Sequence, residues 1–323
     1  DELIQEGLNT GNLTFTTDPL EALADTKLLW VTYDTPVDEN DNADVEFVFN
    51  EVKNILPLLK PDSTVLVSSQ LPVGTVKRLE SECISSRIHF ASCPENLRLG
   101  KAIEVFSDPD RIVVGVRSDK EKETLGLVLE KFTSKIIWIS VESAEMTKHA
   151  INSFLAMSVA FANKIAVVCE AVGADAHEVT KGLKTEKRIG PEAYLTPGGA
   201  FAGGTLARDV QYLTHLGLKH QKNLSLIPSV TKSNNIHKLW PLQRLKEEIG
   251  ALDSKKVALF GLTYKAGTNT LRRSGALDLA KEIILQGGLV MAYDPSIDDF
   301  IGKIEKIQIM SSAKSAIQDS DAV

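Results

Sequence analysis

The sequence contains few cysteines, and they are not arranged as metal ligands or as disulfide partners. Its 323 residues include three, Cys83, Cys93 and Cys169, which lie far apart and form no C-x-x-C pair. A sparse, odd set of this kind is typical of reduced thiols in a cytosolic protein. The six histidines also lack metal-ligand spacing. We therefore predict no disulfide framework and no bound metal.

Long apolar runs and an excess of positive charge are absent as well. No segment reaches about 18 uninterrupted apolar residues, so a transmembrane helix is not expected. The formal net charge of −7 argues against nucleic-acid binding over the whole surface and against binding to an anionic membrane. No signal-peptide pattern opens the chain. We expect a cytoplasmic protein with no nucleic-acid or membrane partner.

The remaining composition is that of a globular protein with two or three domains. Hydrophobic residues make up 43% of the chain and charged residues 24%, which suffices for a buried core. Three apolar runs that alternate with helical patterns predict strands of a parallel sheet: 27–33, 63–67 and 88–91. Polar loops with Thr35, Gln70 and Glu95 follow these strands. Ligands bind at the carboxyl ends of such strands, so these loops are candidate binding segments.

The middle of the chain has a different character. Residues 143–172 keep helical periodicity over about 30 residues, against the usual ~11–12, and are apolar on more than one face. This pattern predicts a helix buried in a domain centre or a subunit interface. Lys148 and Asn152 lie four residues apart and share one face. A lysine in a buried cleft can act as a base or as a cationic stabiliser; the alternative is a solvated helix face.

A loop rich in glycine and small residues, 198–209, connects this helical region to the next helix. Small residues let the backbone approach a ligand closely. The loop reads G-G-A-F-A-G-G-T-L-A-R-D and ends in Thr205, Arg208 and Asp209. The helix N-terminus that follows favours anions and developing negative charge. We predict a binding or catalytic loop; the alternative is a tight helix–helix turn. A second α/β unit begins near residue 255.

Taken in order, the motifs resemble those of the UDP-glucose/GDP-mannose dehydrogenases, the nucleotide-sugar 6-dehydrogenases. The resemblance spans nearly the whole chain and rests on motifs in series, which are Thr35-Pro36, S-S-Q-L-P-V-G-T (68–75), C-P-E-N-L-R-L-G (93–100), D-P-D-R-I-V-V-G (108–115), E-M-T-K-H-A-I-N-S-F-L-A (145–156), R-I-G followed by the glycine loop, and G-L-T-Y-K-A-G-T-N-T-L-R-R-S (261–274). Each motif alone is modest, whereas seven in order are specific.

The resemblance implies an α/β fold of two Rossmann-like domains joined by a long central helix and a helical dimerisation domain. The implied boundaries are 1–140 for the NAD-binding domain, 141–250 for the central domain with the catalytic loop, and 251–323 for the domain that binds the nucleotide of the sugar. It also implies a homodimer or higher homo-oligomer. The expected activity is NAD-dependent oxidation of the C6 alcohol of a nucleotide sugar toward the uronic acid.

The same resemblance implies roles for individual residues. Lys148 is expected to be the base and oxyanion stabiliser with Asn152 beside it, Asp209 to help activate water, and Glu95 to assist hydrolysis. The expected NAD contacts are Thr35, Pro36, Ser69, Gln70 and Arg273. The expected substrate contacts are Leu97, Arg98, Gly203, Tyr264, Lys265 and Arg272, the last reaching the substrate of a neighbouring subunit. Without the resemblance, Glu95 is interpreted as an ordinary loop acid, and Lys265 as a loop lysine that either is solvated or binds an anionic ligand. Arg272-Arg273 is then either a phosphate or carboxylate clamp or plain surface.

Three departures from the family pattern complicate this interpretation. Thr205 stands where the family has its nucleophilic cysteine, and a threonine hydroxyl ionises far less readily than a thiol. The family's first strand and its G-x-G-x-x-G turn are not found in residues 1–323, and we expect this sequence to start after them. Gln70 stands where the family pattern has a threonine, and Leu99 where it has a glutamate. The pair Ala207-Arg208 replaces the family's Pro-Lys.

These departures leave several functions open. The aldehyde could be oxidised as its hydrate without a covalent intermediate, or the enzyme could stop at the aldehyde after one hydride transfer. A third possibility is a catalytically impaired member that binds nucleotide sugar and regulates an active paralogue. A fourth is an engineered threonine that traps substrate.

Overall fold

The protein forms two compact units, which are Asp1–Lys148 and His149–Val323. The structure is a computed structural model and describes residues 2–38, 43–85, 87–97, 100–202, 204–297 and 306–323. The boundary between the units falls within one long helix, so that helix contributes residues to both.

The first unit is built on a five-stranded sheet. Its strands are β1 (Leu28–Val31), β2 (Thr64–Val67), β3 (His89–Ser92), β4 (Ile112–Val116) and β5 (Ile136–Ser140), and they lie across the sheet in that order. The pairs β1–β2, β2–β3 and β4–β5 are parallel, as the sequence predicted. The pair β3–β4 is antiparallel and meets at a single position, Ser92 opposite Gly115. The sequence pattern did not predict this reversal.

Alternating side chains of β2 enter two separate cores, one on each face of the sheet. Val65 and Val67 belong to one core, whereas Leu66 belongs to the other. All four residues of the strand are buried, because helices cover both faces and successive side chains point to opposite sides. The helices of this unit are α1 (Glu2–Asn9), α2 (Pro19–Leu23), α3 (Val45–Ile55), α4 (Thr75–Glu82), α5 (Ala102–Ser107) and α6 (Asp119–Leu129).

The long helix α7 (Val141–Val172) is the predicted central helix, with 32 residues. Its Glu145 is 4% exposed. The Glu145 carboxylate accepts hydrogen bonds from the backbone N–H groups of Gly74 (2.7 Å) and Val76 (3.1 Å). Gly74 is the N-cap of α4 and has φ = 94°. Glu145 therefore satisfies free N–H groups at the start of α4, where negative charge is favourable, and ties α7 to the loop after β2.

Helix α7 is also long and apolar enough to cross a membrane by length and composition, which the sequence analysis did not anticipate. Buried helices of folded proteins pass the same test. Polar residues of α7 that are buried in the protein, including His149, Asn152 and Asn163, make hydrogen bonds to other elements. Such bonds are what a helix in a protein core requires of its polar groups.

The second unit combines helices with a small parallel sheet. After α7 come α8 (Ala176–Thr185), α9 (Thr205–Lys219), α10 (Leu226–Lys238) and α11 (Trp240–Ile249). The sheet has the order β6 (Lys256–Phe260), β7 (Leu289–Tyr293) and β8 (Ile307–Ile309), with α12 (Gly275–Leu285) between β6 and β7 and α13 (Ala313–Ile317) after β8. Both strand pairs are parallel. This unit contains the second predicted α/β segment.

Replacing Glu145 by alanine tests the contact between α7 and the start of α4. We expect the free energy of unfolding to fall by about 1–3 kcal/mol, because the variant leaves buried N–H groups without an acceptor. Chemical denaturation measures this change. The matched control is Glu142→Ala, one turn earlier on α7, where the carboxylate pairs with Arg117 at the surface. The control is expected to lose less than about 1 kcal/mol, and equal losses in both variants would contradict the capping role.

Candidate active site

Two loops at the carboxyl edge of the first sheet are joined by a buried hydrogen bond. The hydroxyl of Thr35, which is buried after β1, donates to the backbone carbonyl of Gln70 at 2.9 Å. Gln70 follows β2 and is buried as well. The structure thus brings together two predicted cofactor contacts, while the third, Pro36, is exposed beside Thr35. The position is the one at which parallel α/β sheets bind ligands.

A small cleft lies beside these loops. Its lining residues come from the ends of β2 and β3 and from α7, and they are Val67, Ser69, Gln70, Leu71, Ser92, Pro94, Glu145 and Lys148. The hydroxyl of Ser69 is buried and has no hydrogen-bond partner among the residues that the structure describes. Since a buried polar group is normally paired, this hydroxyl suits a polar group of a ligand.

Lys148 lines this cleft as predicted, whereas Glu95 does not. The Lys148 ammonium group, on a side chain that is largely buried, lies 3.3 Å from the side-chain oxygen of Asn96, to which it donates. The Glu95 carboxylate accepts from the backbone N–H of Leu97 at 2.5 Å. It is therefore bonded within its own loop. The predicted substrate contact Arg98, in that same loop, lies outside the described residues.

Cys93 occupies the position just after β3 and is buried. Burial raises the pKa of its thiol to about 12, although a hydrogen bond with Ser68 acts in the opposite direction. The nucleophilic form of cysteine is the thiolate. At neutral pH Cys93 is therefore a protonated thiol and a poor nucleophile.

In the second unit, two asparagines hold the first half of the glycine loop. Asn163 of α7 accepts from the N–H of Gly198 at 2.9 Å and donates to the carbonyl of Gly199 at 3.2 Å. Asn234 of α10 accepts from the N–H of Phe201 at 2.9 Å and donates to its carbonyl at 2.7 Å. Each asparagine amide thus bonds one backbone N–H group and one backbone carbonyl of the loop, as a neighbouring strand or helix would do. These bonds hold the segment in place.

The second half of the loop leads into α9. Thr205 is the first residue of that helix and is exposed, and Gly204 is its N-cap with φ = 97°. A Cβ on Gly204 would lie 2.9 Å from the guanidinium nitrogen Nη1 of Arg273. The backbone angle requires glycine, whereas the end of the arginine side chain can move. Arg273, a predicted NAD contact, therefore lies against the glycine loop. Gly203, a predicted substrate contact, lies outside the described residues.

Asp209 lies one turn further along α9 and is completely buried. Its carboxylate accepts hydrogen bonds from the side-chain amide of Asn152 and from Nδ1 of His149, the latter at 2.6 Å. The structure therefore brings together two of the predicted catalytic residues, Asn152 and Asp209. It adds His149, which the sequence analysis did not single out.

The loop after β6 carries the remaining predicted substrate contacts, Tyr264, Lys265 and Arg272, which are all exposed. Asp294, which follows β7, holds the start of this loop. Its carboxylate accepts from the N–H groups of Leu262 (2.7 Å) and Thr263 (3.0 Å). Burial acts to raise the pKa of Asp294, but backbone hydrogen bonds outweigh it and lower the pKa. Asp294 is therefore a charged acceptor that shapes the loop.

Family models match the chain along most of its length. Residues 1–133 match the NAD binding domain of the UDP-glucose/GDP-mannose dehydrogenase family, residues 142–236 its central domain, and residues 258–323 its UDP binding domain. The chain belongs to the UDP-glucose/GDP-mannose dehydrogenase family. It is therefore an NAD-dependent oxidoreductase that acts on a nucleotide sugar.

Individual relatives agree with this assignment. The chain is 30% identical to UDP-glucose 6-dehydrogenase YwqF of Bacillus subtilis, covering 100% of this chain and 75% of the relative. It is 31% identical to UDP-glucose 6-dehydrogenase of Rickettsia felis, covering 91% and 67%. Among solved structures, UDP-glucose dehydrogenase of Pyrobaculum islandicum superposes with a TM-score of 0.87 at 25% identity, covering 98% of this chain and 75% of that one.

One structural observation supports NAD binding by residues of the first unit. The cleft at the carboxyl edge of the sheet holds the buried, unpartnered Ser69 hydroxyl and two further buried polar side chains, Gln70 and Lys148. A dinucleotide that binds at such an edge carries amide, hydroxyl and phosphate groups for these partners. NAD is the cofactor that this family domain binds.

Sequence reasoning missed several residues that organise these sites. Glu145, His149, Asn163, Asn234 and Asp294 each bond to a partner at least 31 positions away in the chain. No local spacing reveals such a pair. The one available signal was position, because Glu145 and His149 stand within the same motif as Lys148 and Asn152, and Asp294 follows a predicted strand.

Replacing Asn234 by leucine tests whether the glycine loop is held in place. We expect the Phe201 amide to exchange with deuterium at least about tenfold faster, because its hydrogen-bond acceptor is lost. Hydrogen-exchange mass spectrometry measures this rate. The matched control is Asn235→Leu, an exposed position next along α10, which should leave the exchange unchanged. Equal exchange in the wild-type protein and Asn234→Leu would show that the loop is held by other contacts.

Proposed function

We propose that this protein oxidises the C6 alcohol of a UDP-hexose, with UDP-glucose as the first candidate, toward the uronic acid. The observation that carries the proposal is the cleft beside β2 and β3, where Lys148 lies with the unpartnered Ser69 hydroxyl. A cationic lysine next to a cofactor-binding edge suits an alcohol that must lose a proton while it loses a hydride. The curated relatives described above are UDP-glucose 6-dehydrogenases, which favours glucose.

The first step needs a hydride acceptor and a group that manages the alcohol proton. NAD, when bound, accepts the hydride from C6. As an ammonium group Lys148 stabilises the developing alkoxide, and as a neutral amine it takes the proton from the hydroxyl. Its hydrogen bond to Asn96 orients the side-chain nitrogen in either form. The proposed contacts to NAD are Thr35, Pro36, Ser69, Gln70 and Arg273. Because Thr35 and Gln70 are hydrogen-bonded to each other, their loops are held before a ligand arrives.

The nucleotide portion of the substrate is proposed to bind along the loop after β6. Tyr264 and Lys265 are exposed there, and their aromatic ring and positive charge suit a base and a diphosphate. Arg272 is proposed to reach the substrate of a second subunit. Leu97, together with Arg98 and Gly203, which the structure does not describe, is proposed to contact the sugar.

The second oxidation is proposed to use the aldehyde hydrate. Water adds to the aldehyde to give a geminal diol, and bound NAD⁺ would supply the hydride acceptor that converts this diol, with release of a proton, to the carboxylic acid. Asp209, held by Asn152, is the group proposed to assist water, with Glu95 as a second acid in the loop after β3. Thr205 lies at the start of α9 and its hydroxyl is a weak nucleophile, while Cys93 is a buried, protonated thiol. Covalent capture of the aldehyde is therefore not part of this proposal.

We also propose that the protein is cytoplasmic and forms a homodimer through the central domain. Helix α7 exposes Phe154 and Val168, with 62% and 57% of their surfaces accessible, and large exposed apolar side chains on one helix favour an interface. The proposed domain boundaries are 1–140, 141–250 and 251–323. The three ranges that match family models each fall within one of these proposed domains, which supports the division.

Replacing Thr205 by cysteine tests the nucleophile position. We expect acid formation to rise by about tenfold or more, because a thiolate is a far better nucleophile than a hydroxyl. The assay follows NADH absorbance with UDP-glucose and NAD and quantifies aldehyde and acid by mass spectrometry. Two NADH per sugar indicates both oxidations, and one indicates release of the aldehyde.

The control for this experiment is Thr205→Ser, which keeps a hydroxyl and should behave like the wild-type protein. An unchanged rate in Thr205→Cys, with substrate binding intact by calorimetry, would show that the nucleophile is not the missing component. Tight binding of UDP-glucose with no NADH formed by the wild-type protein would replace the proposal with a binding function.

A further inference from the structure

The carboxylate of Asp209 lies in a fully buried position, where an ionised group is stable only if donors surround it. Two donors come from one face of α7, since His149 and Asn152 are three residues apart. The two hydrogen bonds go to different oxygens of the carboxylate: His149 bonds to Oδ1 and Asn152 to Oδ2. Together they fix the plane of the carboxylate as well as its position.

The bond from His149 also determines where the imidazole carries its proton. An ionised carboxylate only accepts hydrogen bonds, so the proton must be on Nδ1, the atom 2.6 Å from Oδ1. The ring itself is 1% exposed. It packs against Tyr212 of α9, with ring centroids 5.3 Å apart and planes at 87°. Such an edge-to-face contact limits rotation of the imidazole.

Tyr212 does not compete with Asp209 as an anion. Burial raises the pKa of its hydroxyl to about 12, so the phenol is neutral at physiological pH. The hydroxyl is buried and has no hydrogen-bond partner within the described part of the chain. Tyr212 is therefore a neutral ring packed against the imidazole, and His149 also makes the hydrogen bond to Asp209.

We infer that His149 is a positioning residue for the water-dependent second oxidation, because its Nδ1–H holds the Asp209 carboxylate in one orientation. The inference rests on the proposed role of Asp209 in that step. The arrangement resembles other catalytic pairs in which one group orients another through a single charge-assisted hydrogen bond. His149 itself need not touch the substrate.

The test compares two replacements of His149. Leucine removes the donor, whereas asparagine places an amide N–H near the position of Nδ1. We expect His149→Leu to lower kcat for acid formation by about 10- to 100-fold with KM changed by less than about threefold, and to raise the proportion of aldehyde released. His149→Asn should recover most of the activity. A merely structural role would not produce this selective loss and rescue.

The matched control is Ser158→Ala, which removes a buried hydroxyl from the same helix. That hydroxyl donates to the Phe154 carbonyl of its own helix, so the control should retain the wild-type ratio of acid to aldehyde. Thermal unfolding of all variants shows whether each one folds. Full activity of His149→Leu, or an equal loss in His149→Asn and His149→Leu, would overturn the inference.

Asp209→Asn separates failure of this inference from failure of the proposed function. A loss of at least about 100-fold is expected there. If Asp209→Asn is impaired while His149→Leu is not, the positioning role alone is wrong. If Asp209→Asn keeps its activity, the proposed role of Asp209 is wrong, and the role of His149 in catalysis is wrong with it.

A second readout is independent of turnover. In protein labelled with ¹⁵N-histidine, the His149 signal is identified by its absence from the His149→Leu spectrum, among the six histidines of the chain. We expect a proton on Nδ1 with a strong downfield shift, which moves upfield in Asp209→Asn because a neutral amide is a weaker acceptor. A wild-type imidazole protonated on Nε2 alone would overturn the inference.

Discussion

The need to pair buried polar groups on α7 with partners from other elements is the constraint on which both candidate sites depend. A 32-residue helix that is apolar on several faces is stable in a core only if its few polar side chains are hydrogen-bonded. The Glu145 carboxylate accepts hydrogen bonds from the N–H groups at the start of α4, and the Asn152 amide donates one to the carboxylate of Asp209. Each pair therefore holds a loop or a side chain of a candidate site in place.

The same constraint explains why the glycine loop is a fixed structure. Glycine-rich backbone has many accessible conformations and is costly to order. Asn163 and Asn234 supply donors and acceptors for the loop through paired hydrogen bonds. Gly198, Gly199 and Phe201 are therefore held by side chains of α7 and α10, and Thr205 begins α9.

Much of the architecture was accessible from local patterns. The apolar runs predicted buried parallel strands because a strand covered on both faces has no polar side, and the run at 63–67 became β2. The single antiparallel contact between β3 and β4 was not predicted, since strand direction depends on which strands become neighbours. Likewise, the sequence placed Glu95 among the catalytic candidates, but its observed hydrogen bond is to Leu97 of its own loop.

The sequence by itself determined the order of strands and helices, the long apolar helix and the family, because these depend on residue periodicity and on motifs that are contiguous in the chain. Only the tertiary structure decided that Asp209 is buried against His149 and that Phe201 is held by Asn234. Those partners are 60 and 33 positions apart. A hydrogen bond depends on distance and direction in space, which a linear pattern does not specify.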